Sequence, residues 1–362
     1  MHPNYDLPLY VPKITQEQIG LLERLCQACA VAGDESEVRQ VILEQVKPYA
    51  DEVKVDALGN VLVTRQGKSD HCPRVMMTAH MDEVGFMLVN EEEGGLYRFA
   101  LVGGIDPRQL VGKPVLVGRE HLPGVIGAKP IHLTDAEERK HTIPVDALRI
   151  DLGTEGSSKV KKGDWATFAT RFAQIGPSLC AKALDDRLGV ATLIELVKHA
   201  PANLDLLVAF TVQEEIGLRG ARVAGYAFNP DLAIVVDSTP ANDLPTRDGS
   251  ENASYNTHLG AGPAIYLADR ATFSDQRLVR HLVQAAETES IPYQFRQPGG
   301  GGTDAGAIHT QRAGIPSVSV SVPCRYIHTA AGIARLDDWN NTLRLLYAAL
   351  LGFDASFINN PA

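Results

Sequence analysis

Five separated fragments of the chain each carry side chains of the kind that bind metal ions. They are Thr78-Ala79-His80-Met81-Asp82, Leu184-Asp185-Asp186, Gln213-Glu214-Glu215, Val236-Asp237 and Arg325-Tyr326-Ile327-His328. Two imidazoles and several carboxylates form a nitrogen and oxygen ligand set that suits borderline divalent ions. The set is large enough to hold two ions and to leave one carboxylate free for proton transfer. These residues therefore predict a dinuclear metallohydrolase.

The positions of these ligands follow a common pattern. His80, Glu214, Asp237 and His328 each lie at or just beyond the carboxyl end of an apolar run that is typical of a buried strand. The four runs cover residues 74–79, 204–212, 232–236 and 317–322. In an open α/β sheet this edge is where ligands bind. Asp185 stands at the start of a predicted helix, where backbone N–H groups favour a carboxylate, so we expect all five fragments to meet at one sheet edge.

Strand-type runs alternate with helical periodicity along most of the chain. Apolar residues recur at helical spacing over about residues 15–30, 35–49, 186–199, 274–289 and 336–351. Strands that alternate with helices predict an α/β fold with a mixed, largely parallel sheet and helices on both faces.

The segment of residues 87–172 differs from the rest. It is rich in Gly and Val, lacks helical periodicity, and contains short strand candidates separated by turns. We predict that it forms a small β-barrel inserted into the α/β domain. The chain then divides into a discontinuous catalytic domain of residues 1–86 and 173–362 and an inserted barrel domain of residues 87–172.

Bulk composition narrows the classes of function. A length of 362 residues favours two domains, and a formal net charge of -10 argues against nucleic acid or anionic membranes as partners, since both require a basic face. No apolar run approaches the roughly 20 residues of a membrane span. The first six residues lack the layout of a signal peptide. We therefore expect a cytoplasmic protein.

The cysteines and the remaining histidines indicate less about function than the five fragments do. An odd number of cysteines, five, in a long chain favours reduced thiols. Cys26 and Cys29 form a C-x-x-C inside a helical pattern, for which core packing is favoured over a redox or zinc role. His121, His132 and His141 fall in the inserted segment and are interpreted as surface residues.

Six motifs resemble those of the metallopeptidase family that contains glutamyl aminopeptidase and the tetrahedral (TET) aminopeptidases. They are Ala79-His80-Met81-Asp82-Glu83-Val84-Gly85, Ala183-Leu184-Asp185-Asp186-Arg187, the segment from Gln213 to Ala221, Val236-Asp237, Gly301-Gly302-Thr303-Asp304-Ala305, and Pro323-Cys324-Arg325-Tyr326-Ile327-His328. They span residues 79–328, and none of the family's ligand positions is substituted. The resemblance implies a zinc-exopeptidase type of fold and an aminopeptidase activity.

The resemblance also implies a role for each residue of the site. Asp185 bridges two ions, which are Zn²⁺ or Co²⁺ or else Mn²⁺. His80 and Asp237 complete the protein ligands of one ion, and Glu215 and His328 complete those of the other. The two remaining carboxylates are not ligands: Glu214 is the general base that activates a metal-bridging hydroxide, and Asp82 orients His80. Both metal-bound histidines and bridging carboxylates are common in such centres.

Further expectations concern the substrate and the local backbone. The glycine loop with Gly302, Thr303 and Asp304 is a candidate substrate wall, although a helix N-cap explains it equally. In related dinuclear peptidases the Asp185-Asp186 peptide bond tends to be cis. Adjacent Glu214 and Glu215 would point to opposite faces of a regular strand, so both serve one site only if the backbone leaves strand geometry.

The family implies short peptides as substrates and dimer-based homo-oligomers, often of twelve subunits in a tetrahedral shell, with dimer contacts made by the inserted domain. Three alternatives remain: a small-molecule deacylase on the same dinuclear site, an endoglucanase, and a non-catalytic assembly protein. Glycoside hydrolysis uses two carboxylates, usually without metals, which would leave both imidazoles without a role.

Overall fold

The computed structural model describes residues 12–69, 71–249, 257–296, 298–354 and 357. Its strands are β1 Glu52–Val55, β2 Val61–Arg65, β3 Arg74–His80, β4 Gly85–Glu92, β5 Leu96–Val102, β6 Pro114–Val117, β7 Leu122–Gly127, β8 Arg149–Asp151, β9 Trp165–Phe168, β10 Ala173–Ile175, β11 Ser178–Ala181, β12 Asp205–Thr211, β13 Leu232–Pro240, β14 Ala264–Tyr266, β15 Gln294–Arg296, β16 Ser317–Arg325 and β17 Gly332–Arg335. Its α-helices are α1 Gln16–Gln27, α2 Ser36–Val46, α3 Gly153–Gly156, α4 Leu184–Lys198, α5 Arg219–Phe228, α6 Gln276–Thr288, α7 Ala305–Ile308 and α8 Leu336–Leu351.

The large sheet is mixed, with strand order β1-β2-β12-β3-β13-β16-β17-β11-β10 and with β14 and β15 attached beside β16. Its four central neighbours, β12, β3, β13 and β16, are all parallel. The strands that flank them pair antiparallel. The predicted α/β class with a mixed sheet is confirmed, and its parallel part is the centre.

Alternation along the central strands explains why helices cover both faces. In β3, Val75 and Met77 enter one core with α1, α2, α4, α6 and α8, whereas Met76 enters a second core with α5 and α7. Because side chains on a strand alternate between faces, strands that are apolar throughout need cover on both sides. The four ligand-bearing strands are therefore held rigidly inside the domain.

The segment between β3 and β10 contains a closed barrel of strand order β4-β5-β8-β7-β6-β9. Phe86 lies at its centre and makes edge-to-face contacts with Phe99 and Phe168, each at a centroid distance of 5.2 Å. The inserted β-barrel is thus confirmed as an element of the fold. Its strands run from Gly85 to Phe168, and the domain borders at residues 87 and 172 stay a prediction.

A buried ionic cluster joins the barrel to the α/β domain. Lys182 donates to both carboxylate oxygens of Glu83, at 2.7 and 2.8 Å, and Arg187 donates to one of them at 3.2 Å. The hydroxyl of Thr167 in β9 and the N–H of Ala30 bind the same carboxylate. Burial by itself raises the pKa of Glu83, but the two cations outweigh it and the net pKa is lowered. Glu83 is therefore charged, and its orientation is determined by both domains.

Several elements lay outside the expectations from sequence. The helix α5 and the short strands β10, β11, β14, β15 and β17 were not predicted, and β4 begins two residues before the predicted border of the barrel. Among the described residues, no helix combines the length and the apolar character that crossing a membrane requires.

Candidate metal centre

The five predicted fragments meet at the carboxyl edge of the central parallel strands. His80 is the last residue of β3, Asp237 lies in the second half of β13, and Asp185 stands at the start of α4. Glu215 follows the end of β12, and His328 follows the end of β16. Strand polarity predicted that the five fragments would meet at one sheet edge, and the fold brings them together there.

Asp185 lies between the two imidazoles. Its Oδ1 is 3.3 Å from Nε2 of His80, and its Oδ2 is 3.3 Å from Nε2 of His328. His80 Nε2 is also 3.7 Å from a carboxylate oxygen of Asp237, and His328 Nε2 is 3.3 Å from one of Glu215. One carboxylate thus faces two nitrogen-containing half-sites, and each half-site has a further carboxylate of its own.

Both histidines present the same nitrogen to this centre. The Nδ1–H of His80 donates to the backbone carbonyl of Asp82 at 3.0 Å, and that of His328 donates to the carbonyl of Gly104 at 3.0 Å. Since a neutral imidazole has one donor and one acceptor nitrogen, these bonds select the tautomer that leaves Nε2 as a ligand. Gly104 follows the barrel strand β5, so the barrel orients one candidate ligand of the centre.

Asp82 lies next to His80, and its main chain makes the closer contact with the ring. Its carboxylate is 3.6 Å from Nδ1 of His80, which is beyond a good hydrogen bond, and the ring is held by the backbone carbonyl instead. The carboxylate accepts the N–H groups of Glu214 at 3.0 Å and of Glu215 at 3.1 Å. Asp82 therefore orients His80 through its main chain and positions the two glutamates through its side chain.

The backbone leaves strand geometry between β12 and the two glutamates, as predicted. Gln213 has a left-handed φ of 57°, and the carbonyl of Glu214 accepts the N–H groups of Gly217 and Leu218 in a tight turn. This turn, together with the Asp82 carboxylate, lets adjacent Glu214 and Glu215 serve the same site. The Asp185-Asp186 peptide bond is cis, in agreement with the expectation.

Asp186 belongs to the site, although the sequence analysis gave it no role. Its carboxylate accepts the N–H of His80 at 3.3 Å and the N–H of Gly189 at 3.0 Å, and so connects β3 to the first turn of α4. His80, Asp186 and Asp237 form one group whose ligand atoms lie within 4.8 Å of one another, and His80, Asp185 and Glu215 form another. In the sequence, the signal that could have identified Asp186 was its position next to Asp185.

The carboxylates make the centre strongly attractive to positive charge. Burial opposes protonation of His80, but Asp185 and Asp82 outweigh it and raise the pKa of the ring well above its usual value. The pKa of His328 rises to about 9 because Asp185 and Glu215 outweigh the effect of burial in the same way. Burial opposes ionisation of Asp185 too, yet hydrogen bonds with His328 and His80 lower its pKa below the usual range.

The other carboxylates repel one another in a buried place. Burial raises the pKa of Asp237 well above its usual value, and the nearby Asp185 adds to this effect. Burial also raises the pKa of Glu215 to about 7. A cluster with this excess of oxygen ligands binds either protons or divalent cations. With two free Nε2 atoms and a carboxylate between them, the residues fit a pair of borderline divalent ions.

The glycine loop packs against the large sheet through two buried side chains. Thr303 and Asp304 are each only 2% exposed. The Thr303 hydroxyl lies 2.7 Å from that of Ser319, and Asp304 accepts the hydroxyl proton of Thr211 at 2.6 Å. Both side chains thus contact strands of the large sheet, whereas Gly302 is exposed. A role of this loop in substrate binding stays a prediction.

Comparison with known proteins is consistent with this arrangement. Residues 59–345 match the family described as M42 glutamyl aminopeptidase. A glutamyl aminopeptidase of Lactococcus lactis subsp. cremoris (strain MG1363) is 30% identical over 351 residues, which are 92% of this chain and 96% of that protein.

Solved structures share the whole architecture. A TET aminopeptidase from the marine sediment archaeon Thaumarchaeota archaeon SCGC AB-539-E09 is 34% identical with a TM-score of 0.90, covering 95% of this chain and 98% of that chain. The TET1 peptidase of Pyrococcus horikoshii, which can assemble into a tetrahedron or a large octahedral shell, is 34% identical with a TM-score of 0.80, covering 91% of this chain and 98% of that chain.

Replacing Asp82 by Asn tests its role as an acceptor for two amides. The new amide group puts a donor against the N–H of Glu214 or Glu215, so we expect the turn to shift and metal affinity to fall about 10–100-fold. Competition with a chromophoric chelator measures the affinity, and circular dichroism checks the fold. Asp135→Asn is the matched control, because Asp135 accepts the N–H groups of Glu137 and Glu138 on the barrel surface. Unchanged affinity in Asp82→Asn would contradict the role.

Proposed function

The chain belongs to the M42 glutamyl aminopeptidase family, and on that premise we propose that it releases N-terminal residues from short peptides at a dinuclear metal centre. The observation that carries this proposal is the position of Asp185, with one carboxylate oxygen 3.3 Å from Nε2 of each imidazole. A single carboxylate that faces two separate nitrogen ligands is the arrangement required to bridge two ions.

Five residues would hold the two ions. Asp185 would bridge them, His80 and Asp237 would form one half-site, and Glu215 and His328 would form the other. Two divalent ions, Zn²⁺ or Co²⁺ or else Mn²⁺, would polarise the scissile carbonyl and lower the pKa of a coordinated water. His328 is the more exposed of the two imidazoles, with 36% of its side chain accessible against 3% for His80, so substrate approaches from its side.

Glu214 is the residue we assign to proton transfer. Its backbone is held by the Asp82 carboxylate, and it is the glutamate of this turn that we do not assign as a ligand. Burial raises its pKa well above the usual value, opposed by the charge of His80 and reinforced by Asp304 and Glu215. A carboxylate whose pKa is raised toward neutrality can take the proton of the attacking water and return it to the leaving amine.

The variant Glu214→Gln tests this assignment. The amide keeps the size of the side chain but cannot accept a proton, so we expect kcat to fall by about 10²–10⁴-fold while the bound metal stays the same. Steady-state kinetics and metal analysis of the purified protein measure the two effects. Glu215→Gln is the neighbouring control and should lose metal. Normal turnover by Glu214→Gln would show that another group is the base.

Removal of metal tests the reaction class. We expect a chelator to abolish hydrolysis of a panel of aminoacyl anilides, and Zn²⁺ or Co²⁺ to restore it, because the ions supply the electrophile. Anilides with an acylated amine serve as controls and should stay intact. Activity on polysaccharide that resists the chelator would support the endoglucanase alternative. Preferential cleavage of the acylated substrates would support a deacylase.

We also propose a homo-oligomer built from dimers, with twelve subunits and with the barrel domain, predicted as residues 87–172, in the dimer contact. The barrel exposes large apolar side chains on one segment, Ile131 at 70% and Leu133 at 61%, and such patches mark protein interfaces.

The five cysteines are free, which supports a cytoplasmic location.

The oligomer is tested by light scattering after size exclusion. We expect a mass near twelve times the 39.1 kDa of one chain, and a smaller species when Ile131 and Leu133 are both replaced by Asp. The substituted barrel surface loses its apolar contact while the metal ligands stay in place. A monomeric wild-type protein would contradict the proposal.

A further inference from the structure

A second group of metal-type side chains lies outside the candidate metal centre. One ligand atom each of Cys29, Glu37 and His121 lies within 4.8 Å of the others. Cys29 precedes α2, Glu37 is in the first turn of α2, and His121 is at the turn between β6 and β7. The α/β domain therefore supplies two of these residues and the barrel supplies the third.

Glu37 contacts both of the other residues. One of its carboxylate oxygens lies 2.6 Å from Nε2 of His121, and the other accepts the backbone N–H of Cys29 at 2.9 Å. His121 has a left-handed φ of 52°, a conformation that is uncommon outside glycine. This backbone turn directs the imidazole away from the hairpin and across the domain junction.

The sequence interpretation placed Cys26 and Cys29 together in the core, and the structure separates them. Cys26 is fully buried in the main core of the α/β domain. Cys29 is half-buried and lines a groove of about 870 Å³ between the domains, which Trp165 of β9 also lines. His121, interpreted as a surface residue, is only 36% exposed in its side chain.

We propose that Cys29, Glu37 and His121 bind a Zn²⁺ ion that links the barrel to the α/β domain. Sulfur, nitrogen and oxygen donors together suit zinc, which takes four ligands in a tetrahedral arrangement. When the ion binds, the proton on Nε2 of His121 passes through solvent to Nδ1, which leaves Nε2 free as a ligand, and the 2.6 Å separation of His121 and Glu37 opens to roughly 3.3 Å. The thiol loses its proton to solvent when it binds, and water from the groove fills the fourth position.

The surroundings tolerate a divalent cation. Besides Glu37, the groove is lined by the acidic residues Asp34, Glu120 and Asp164 and by the basic residues Arg119, Lys159 and Lys161. Lys159 is paired with Glu120 at 3.3 Å, so acidic and basic charges are almost balanced. A bound ion would also brace the chain next to Cys29, where the N–H of Ala30 binds Glu83.

Cobalt distinguishes this site from the candidate metal centre. A thiolate bound to Co²⁺ gives a near-ultraviolet charge-transfer band that nitrogen and oxygen ligands do not give. In the part of the chain that the structure describes, the two other ligand groups, both built around His80, contain no cysteine. We expect metal-free protein to develop the band as Co²⁺ is added, after two equivalents where the proposed dinuclear centre fills first, and Zn²⁺ to abolish it.

Variants assign the band to the three residues. Cys29→Ser should lose it, and Glu37→Gln and His121→Asn should shift it to higher Co²⁺ concentrations. Two matched controls should keep the wild-type band. One is Cys180→Ser, which removes another half-buried thiol, and the other is His141→Asn, which removes a histidine that is paired with a glutamate but belongs to none of the metal-type groups among the described residues.

Three results would overturn the proposal. They are the absence of the band from the wild type, a band that persists in Cys29→Ser, and unchanged Co²⁺ affinity in both Glu37→Gln and His121→Asn. The Cys29→Ser variant should keep its peptidase activity at saturating metal. The thiolate band therefore tests this site, and peptidase activity tests the proposed function separately.

Discussion

The rest of the structure depends on how buried negative charge at one sheet edge is compensated. Backbone amides satisfy part of it: Asp82 accepts two N–H groups from the Glu214 turn, and Asp186 accepts those of His80 and Gly189. Among the described residues, no backbone amide is found to bind Asp185, which faces the two imidazoles instead. An unpaired buried carboxylate is costly, so each of these carboxylates needs a partner. Asp82 and Asp186 are satisfied by amides and position the site, whereas Asp185 remains available to bridge cations.

The ionic cluster around Glu83 extends the same logic to the domain junction. Glu83 follows Asp82 directly in the chain, and its carboxylate is held by Lys182, by Arg187 and by Thr167 of the barrel. Replacing a buried ion pair by apolar residues is often neutral for stability, so the value of this cluster lies in geometry. It fixes where the chain turns from the ligand strand β3 into the barrel.

The ligand-bearing part of the fold could be predicted because its signals are local. Apolar runs end at His80 and before Asp237, and strand polarity then brings their ends together. The short strands β10 and β17, of three and four residues, are too brief for a periodic signal. The bond from His328 to Gly104 joins residues 224 positions apart, and the burial of Asp304 depends on packing against Thr211. Neither relation leaves a trace in the sequence near those residues.

The bond between His328 and Gly104 has a consequence for how such a protein can diversify. The barrel holds the imidazole through a main-chain carbonyl, and every amino acid carries that group. Side chains over most of the barrel surface are thus free to vary, and with them the proposed contacts between copies, without altering the chemistry of this candidate ligand. Quaternary architecture and turnover can therefore change independently during evolution, provided that the backbone path through the loop around Gly104 is preserved.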